Sequence, residues 1–176
     1  MSYVVIAYPK ISASDYEWIQ SIRKLYDTRQ YSVVKPHVTL VFPTSKPNKE
    51  SLIEHARSKV TILKAFDIKF DSALVVEDDS KTYFHAFLIP SLGFDEITFL
   101  HDISYTEYLE SELRTDIPFI PHLGIGNDDD KKVMEELANK INNQGVSISG
   151  KIDQLTVAEY DGKKVRDLQI IDLVTD

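Results

Sequence analysis

The spacing of apolar and polar positions along the chain switches repeatedly between a period near two and a period near 3.6, and the switch points mark out its elements. Residues 3–9 are β-rich and stop at Pro9. Ser14-Asp15-Tyr16-Glu17 reads as a capping box, with Ser14 at N-cap and Glu17 three positions on. A helix to about residue 27 follows, with Trp18, Ile19, Ile22, Leu25 and Tyr26 on one face. A loop over 28–36 leads into a strand over 37–43. Residues 49–63 read as a second helix burying Leu52, Ile53, Ala56, Val60 and Leu63, which leaves His55 off the apolar face and solvated. Residues 66–76 and 82–89 form a hairpin around the polar turn 77–80, with His85 as a structural residue among aromatics. Pro90 to Gly93 break the chain at its middle, and 94–101 carry no decisive period. His101 falls in a loop before a second capping box, Ser104-Tyr105-Thr106-Glu107, which opens a helix to about Arg114. A strand over 119–126 comes next. Asn127 or Asp128 then caps a helix to about 143, which Gly145 stops. A strand over 146–159, the hairpin turn Asp161-Gly162 and a return strand over 165–174 complete the pattern.

Two segments stand out. In Lys35-Pro36-His37-Val38-Thr39-Leu40-Val41-Phe42-Pro43, strand alternation points His37 and Thr39 to one face and Val38, Leu40 and Phe42 to the other. That pattern suits two phosphate-binding groups on a rigid support, but taken alone it reads first as an ordinary strand with a surface His and Thr. Phe119-Ile120-Pro121-His122-Leu123-Gly124-Ile125-Gly126 repeats it about half the chain later. The elements around the two segments also match: helix, His strand, helix, long strand, tight polar turn, return strand. The repeat suggests a pseudo-symmetric fold with both histidines on one cleft, and no linker divides the chain into independent domains.

Composition narrows the chemistry. A chain of 176 residues with 43% hydrophobic residues forms one compact domain or two closely packed lobes. There is no cysteine, so disulfides, Cys metal sites and Cys nucleophiles are excluded. No apolar run approaches the roughly 20 residues of a membrane span. The first residues read as a strand and not a leader, so a soluble cytoplasmic protein is expected. The formal charge of −8 opposes bulk DNA or RNA coating but leaves room for a small phosphate ligand or an RNA end.

The paired segments resemble the two-histidine (2H) phosphoesterase superfamily, which includes 2′-5′ RNA ligase-like proteins and 2′,3′-cyclic phosphodiesterases. His37-Val38-Thr39 matches the family's His-x-Thr/Ser motif, and Phe42 stands at an aromatic position common in the family. His122-Leu123-Gly124 keeps the histidine but has glycine in place of the hydroxyl. A basic residue that follows the second motif in some relatives is replaced by Gly126-Asn127-Asp128.

The resemblance implies an α+β, bilobal, pseudo-twofold fold: antiparallel sheets, helices on the outer faces and a central cleft. It implies one domain over 1–176, with repeats of roughly 14–90 and 104–174. It also implies a monomeric cyclic phosphodiesterase of RNA processing that needs no cofactor or metal. The substrate is a 2′,3′-cyclic nucleotide or an RNA end. His37 and His122 serve as general acid and base, Thr39 as an oxyanion donor, and Gly124 and Phe42 line the substrate site. Phe42 is the family-matched base-stacking candidate; Tyr8 and Tyr160 are further ones from this sequence. Lys35, Lys46, Lys81 and Lys163 are candidate loop cations. The alternative is a degenerate relative that binds a phosphorylated ligand or partner without turnover. A metal site built on the two histidines lacks any local ligand pair.

Overall fold

The computed structural model describes residues 1–174. Two antiparallel sheets face each other, and both draw strands from both halves of the chain. The first sheet has the order β3-β1-β8-β9, from β1 (Ser2–Ala7), β3 (Val38–Thr44), β8 (Gln154–Tyr160) and β9 (Val165–Asp172). The second has the order β2-β7-β4-β5-β6, from β2 (Lys10–Ile11), β4 (Phe66–Glu77), β5 (Phe84–Leu92), β6 (Leu123–Asp128) and β7 (Ile148–Ile152). The strand expected over 146–159 is therefore two. It breaks at Asp153, so that β7 joins β4 and β8 joins β1.

Four helices cover the outer faces. Helix α1 (Ala13–Tyr26) lies on β6. Helix α4 (Lys131–Asn143) lies across β4, β5 and β6. Helix α2 (Lys49–Val60) packs on β1, β8 and β9, and α3 (Phe94–Ser104) on β3 and β5. Helix α4 buries Met134, Leu137, Ala138 and Ile141, a stripe at the helical period. Each large side chain of that stripe contributes about 1.5–3 kcal/mol. None of the helices is long and apolar enough to cross a membrane.

Helix starts depart from the sequence reading because hydroxyls compete for the cap. Ser12, not Ser14, is the N-cap of α1 and accepts from the Asp15 amide. Asp130, not Asn127 or Asp128, caps α4. The second capping box is absent. Ser104 is the last residue of α3 and donates to the Leu100 carbonyl, and only a 3₁₀ turn over Glu107–Glu112 follows. Helix α3 itself fills the undecided stretch after Gly93, which adopts the left-handed backbone at its start. His55 is buried, against expectation, and His101 lies buried in α3 instead of in the expected loop. Each ring is taken inside by a carbonyl: His55 Nε2 by Ser104 O at 2.8 Å, His101 Nδ1 by Leu40 O at 2.9 Å.

Along β3 the alternation is interrupted twice. Val5 pairs with Val41 and Ile6 with Thr39, so Leu40 is an extra residue; a second slip separates Val41 from Thr44. Leu40 and Val41 are both fully buried, and the side chains beyond them exchange faces. Phe42, expected on the apolar face with Val38 and Leu40, is thereby turned to the His37 and Thr39 side and is 44% exposed.

Candidate functional site

Between the inner faces of the two sheets lies a cavity of about 660 Å³, within the usual range for a small-molecule site. His37, Thr39, Phe42, His122 and Gly124 all line it. The first sheet supplies Val4 and Ile6 beside Thr39 as an apolar floor, and the second supplies His85, Phe87 and Gly124 opposite.

The two histidines are held alike. Each stands at the residue before its strand. His37 Nδ1 donates to the Lys35 carbonyl at 2.8 Å, and His122 Nδ1 donates to the Ile120 carbonyl at 2.6 Å. A carbonyl only accepts, so the proton of each neutral ring is on Nδ1 and the Nε2 lone pair is bare. Neither Nε2 meets a protein partner among the described residues, and neither is a buried unpaired atom, so both reach solvent through the cavity. The Thr39 hydroxyl, also on the cavity wall, likewise meets no protein partner among the described residues. Burial lowers both rings to about 4, against the pull of their carbonyl partners. The Arg23 guanidinium adds to the depression at His37, and the neighbouring His37 and His85 rings add to it at His122.

Beneath His122 runs a stack from β5. Phe87 lies face to face with His122, centroids 3.6 Å apart and planes at 18°, and His85 stacks on the far side of Phe87 at 5.0 Å. His85 Nε2 meets Asp78 Oδ2 at 3.1 Å. Burial would raise Asp78, but bonds from Ser80, His85 and Tyr83 hold its carboxyl at about 2. The residue read as structural from sequence is thus part of the cavity wall.

Sequence reasoning did not find Arg23. It is 1% exposed, reaches the cavity wall from α1, and carries charge on a helix face read as apolar. Its Nε meets Asp27 Oδ2 at 2.8 Å, and its other N–H groups go to Gln20 Oε1 and to the Gln30 and Val34 carbonyls. Asp27 Oδ1 accepts from Asn127 Nδ2 of β6 at 2.5 Å. Burial pushes the Asp27 carboxyl up, opposed by Arg23 and its other donors. One buried network therefore ties the loop before His37 to the strand after His122. The i,i+4 spacing of Arg23 and Asp27 was its only sequence signal.

At Gly124 the backbone is not left-handed, and a Cβ would meet nothing within 4 Å. The missing hydroxyl is not a steric requirement. Of the other candidates, Tyr160 lines the cavity. Tyr8 lies in a separate recess and donates to Asp167 Oδ1 at 2.8 Å. Lys35, Lys46, Lys81 and Lys163 all lie off the cavity wall.

Residues 11–164 match the sequence model of the 2′-5′ RNA ligase superfamily. A Staphylococcus aureus (strain Newman) protein whose name carries the word phosphoesterase is 27% identical over 152 residues, covering 85% of this chain and 86% of its own. Escherichia coli LigT, solved with 3′-AMP, superposes with a TM-score of 0.63 at 14% identity, covering 98% of both chains. Kluyveromyces marxianus Usb1, solved with uridine monophosphate, superposes with a TM-score of 0.54 at 12% identity over 98% of both. At such identities the two structures establish the shared fold.

Proposed function

The chain belongs to the 2′-5′ RNA ligase superfamily, the 2H phosphoesterases, and from that premise we propose that it hydrolyses a cyclic phosphodiester, a 2′,3′-cyclic nucleotide or an RNA end, with His37 and His122 as its acid–base pair. The domain is taken as one bilobal unit over 1–176, with repeats near 14–90 and 104–174. The observation that carries the reading is the matched tethering of the two rings. Each Nδ1–H is spent on a carbonyl two residues upstream, which leaves two Nε2 atoms for one ligand.

With both rings neutral in the free protein, one must acquire a proton for the reaction. An anionic phosphodiester between them supplies the opposite charge that favours this. His122 is the better cation, because its face rests on Phe87, and a ring face stabilises a cation by about 0.5–2 kcal/mol. Burial, with the Arg23 guanidinium adding to it, keeps His37 neutral. His37 Nε2 then takes the proton of the attacking water as the new P–O bond forms. His122 Nε2–H gives its proton to the departing ribose oxygen as the old bond breaks. Thr39 donates to the non-bridging oxygen on which charge accumulates. The rings finish with their protonation exchanged, and solvent resets them.

The test is hydrolysis of 2′,3′-cyclic AMP in EDTA by the protein and by His37→Ala and His122→Ala. Turnover that survives the chelator and is lost in both variants supports the proposal. Chelator-sensitive turnover, or turnover indifferent to both substitutions, removes it. The glycine at 124 favours the second reading, a phosphate binder without turnover, which tight binding of 3′-AMP with no hydrolysis would select.

A further inference from the structure

The charge around the cavity is of the wrong sign for a nucleic-acid chain. Its wall carries four carboxylates, Asp27, Glu77, Asp78 and Asp79, against two guanidinium groups, Arg23 and Arg114, and no lysine. Neither arginine is free to receive a phosphate. Arg23 is buried and committed to Asp27, to Gln20 and to two backbone carbonyls. Arg114 gives one nitrogen to Asp79 at 2.8 Å and a fork to both Asp116 oxygens at 2.8 and 2.7 Å. Asp78 stays ionised at neutral pH beside His85, and Glu77 lies within electrostatic reach of Lys131, which is itself paired with Glu135 at 2.9 Å. On the neighbouring strand, Asp128 pairs with Phe84; next to it Asp129 is paired with Arg29, whose guanidinium lies over the Tyr83 ring, and Asp130 caps α4.

A protein that tracks a polynucleotide needs a run of cations for successive phosphates. Here the reacting group is met by two imidazoles, one of them protonated once the anion binds, and one hydroxyl, which suits a single anion. The rest of the wall is apolar or acidic. Resting on the reading given above, we infer that the site selects small cyclic phosphodiesters whose only negative charge is the reacting one, such as a nucleoside 2′,3′-cyclic phosphate, and discriminates against RNA ends that carry further phosphates. Glu77 and Asp78 at the β4–β5 turn are the specificity-determining residues. They place negative charge where a second phosphate of a longer substrate would run, while the charge of Asp79 is held against Arg114. A repulsion of this kind over about 8 Å at an effective dielectric between 20 and 80 changes affinity on the order of 2- to 30-fold per charge pair.

The experiment compares kcat/KM of the intact protein for 2′,3′-cyclic AMP and for a six-nucleotide RNA ending in the same cyclic phosphate. Both substrates are run at low and at high salt. The expected result is a preference of about 10-fold or more for the mononucleotide at low salt, narrowing as salt screens the rim. Glu77→Lys should narrow the ratio at least 3-fold at low salt. In parallel, equilibrium binding of 3′-AMP is compared with that of the same RNA carrying a 3′-phosphate, a readout that needs no turnover. Equal or better use of the RNA end by the unsubstituted protein overturns the inference, as does a ratio that ignores both salt and Glu77→Lys. If neither cyclic phosphate is hydrolysed, the catalytic proposal falls. The binding arm then decides the charge preference by itself: weaker RNA binding upholds it, and equal or tighter RNA binding, or no binding of either probe, overturns it.

Discussion

Replacing Gly124 by threonine restores the one group that the second His segment lacks. The structure leaves little to oppose it. A Cβ at this position meets no atom within 4 Å and the backbone there is not left-handed, so neither a clash nor a strained φ is introduced. The position lies in β6 opposite Phe87, where a β-branched residue packs well against an aromatic neighbour. Removing a glycine from a compatible position also stabilises by about 0.4–1 kcal/mol through the unfolded chain. A hydroxyl donating to a charged phosphate oxygen is worth about 1.5–3 kcal/mol. Realised in the transition state, this is a gain in kcat/KM of roughly 10- to 150-fold. Gly124→Val supplies the control, since it has the same shape and no hydroxyl. The assay is the initial rate of 2′,3′-cyclic AMP hydrolysis by both variants, with thermal denaturation to establish that both are folded. A folded Gly124→Thr protein no faster than the parent, or matched by Gly124→Val, would refute the assignment of position 124 to the phosphate site.

Other consequences can be checked separately. Because both histidines are depressed to about 4 in the folded chain against 6.5 unfolded, the unfolded chain takes up protons first. The histidine contribution to stability should therefore be constant above about pH 7, fall by about 2 kcal/mol per ring between pH 7 and pH 5, and level off below pH 4, where depressed carboxylates such as Asp78 take over the loss. Chemical denaturation of the protein and of His37→Gln and His122→Gln, which should each flatten the curve, measures this. The same depression places the free-protein limbs of the kcat/KM profile on the acid side, and NMR titration of the two rings should show midpoints well below 6. Arg23→Met removes the guanidinium that opposes protonation of His37, so the His37 midpoint should rise while unfolding free energy drops by about 3–5 kcal/mol from the broken buried pair. An unmoved midpoint would show that Arg23 does not act on His37. Phe87→Leu takes the ring face away from His122 and should lower kcat by about 2- to 30-fold with little change in KM. A pure KM effect would count against His122 as the acid.

Much of the architecture was readable because it rests on local periodicity. The Pro-His segments, the hairpin around residues 77–80, the α2 and α4 stripes and the Asp161-Gly162 turn all announce themselves within a few residues. What was illegible depends on distant partners. No local pattern shows that Leu40 is an extra residue in β3, since that is decided by its pairing with β1, and the facing of Phe42 follows from it. His55 read as solvated and His101 as a loop residue, yet each is drawn inward by a carbonyl some fifty or sixty residues away. Arg23 drew no notice because its partners on the 30–34 loop, and the β6 residue that bonds Asp27, are brought to it only by the fold. Serine at 104 satisfied a capping pattern that its own helix pre-empted by reaching it from the other side.

Strand β1 lies between β3 and β8, and β4 lies between β5 and β7. During synthesis the earliest strand therefore waits with one edge bare until more than 150 residues have emerged. Neither half of the polypeptide owns a complete sheet. Cutting the chain at Gly93 should yield two fragments that acquire structure only when mixed, and phosphoester chemistry should emerge only as the paired sheets form. Assembly of the reaction chamber and folding of the molecule are then a single late event, with many long-range pairings to close and a correspondingly slow rate.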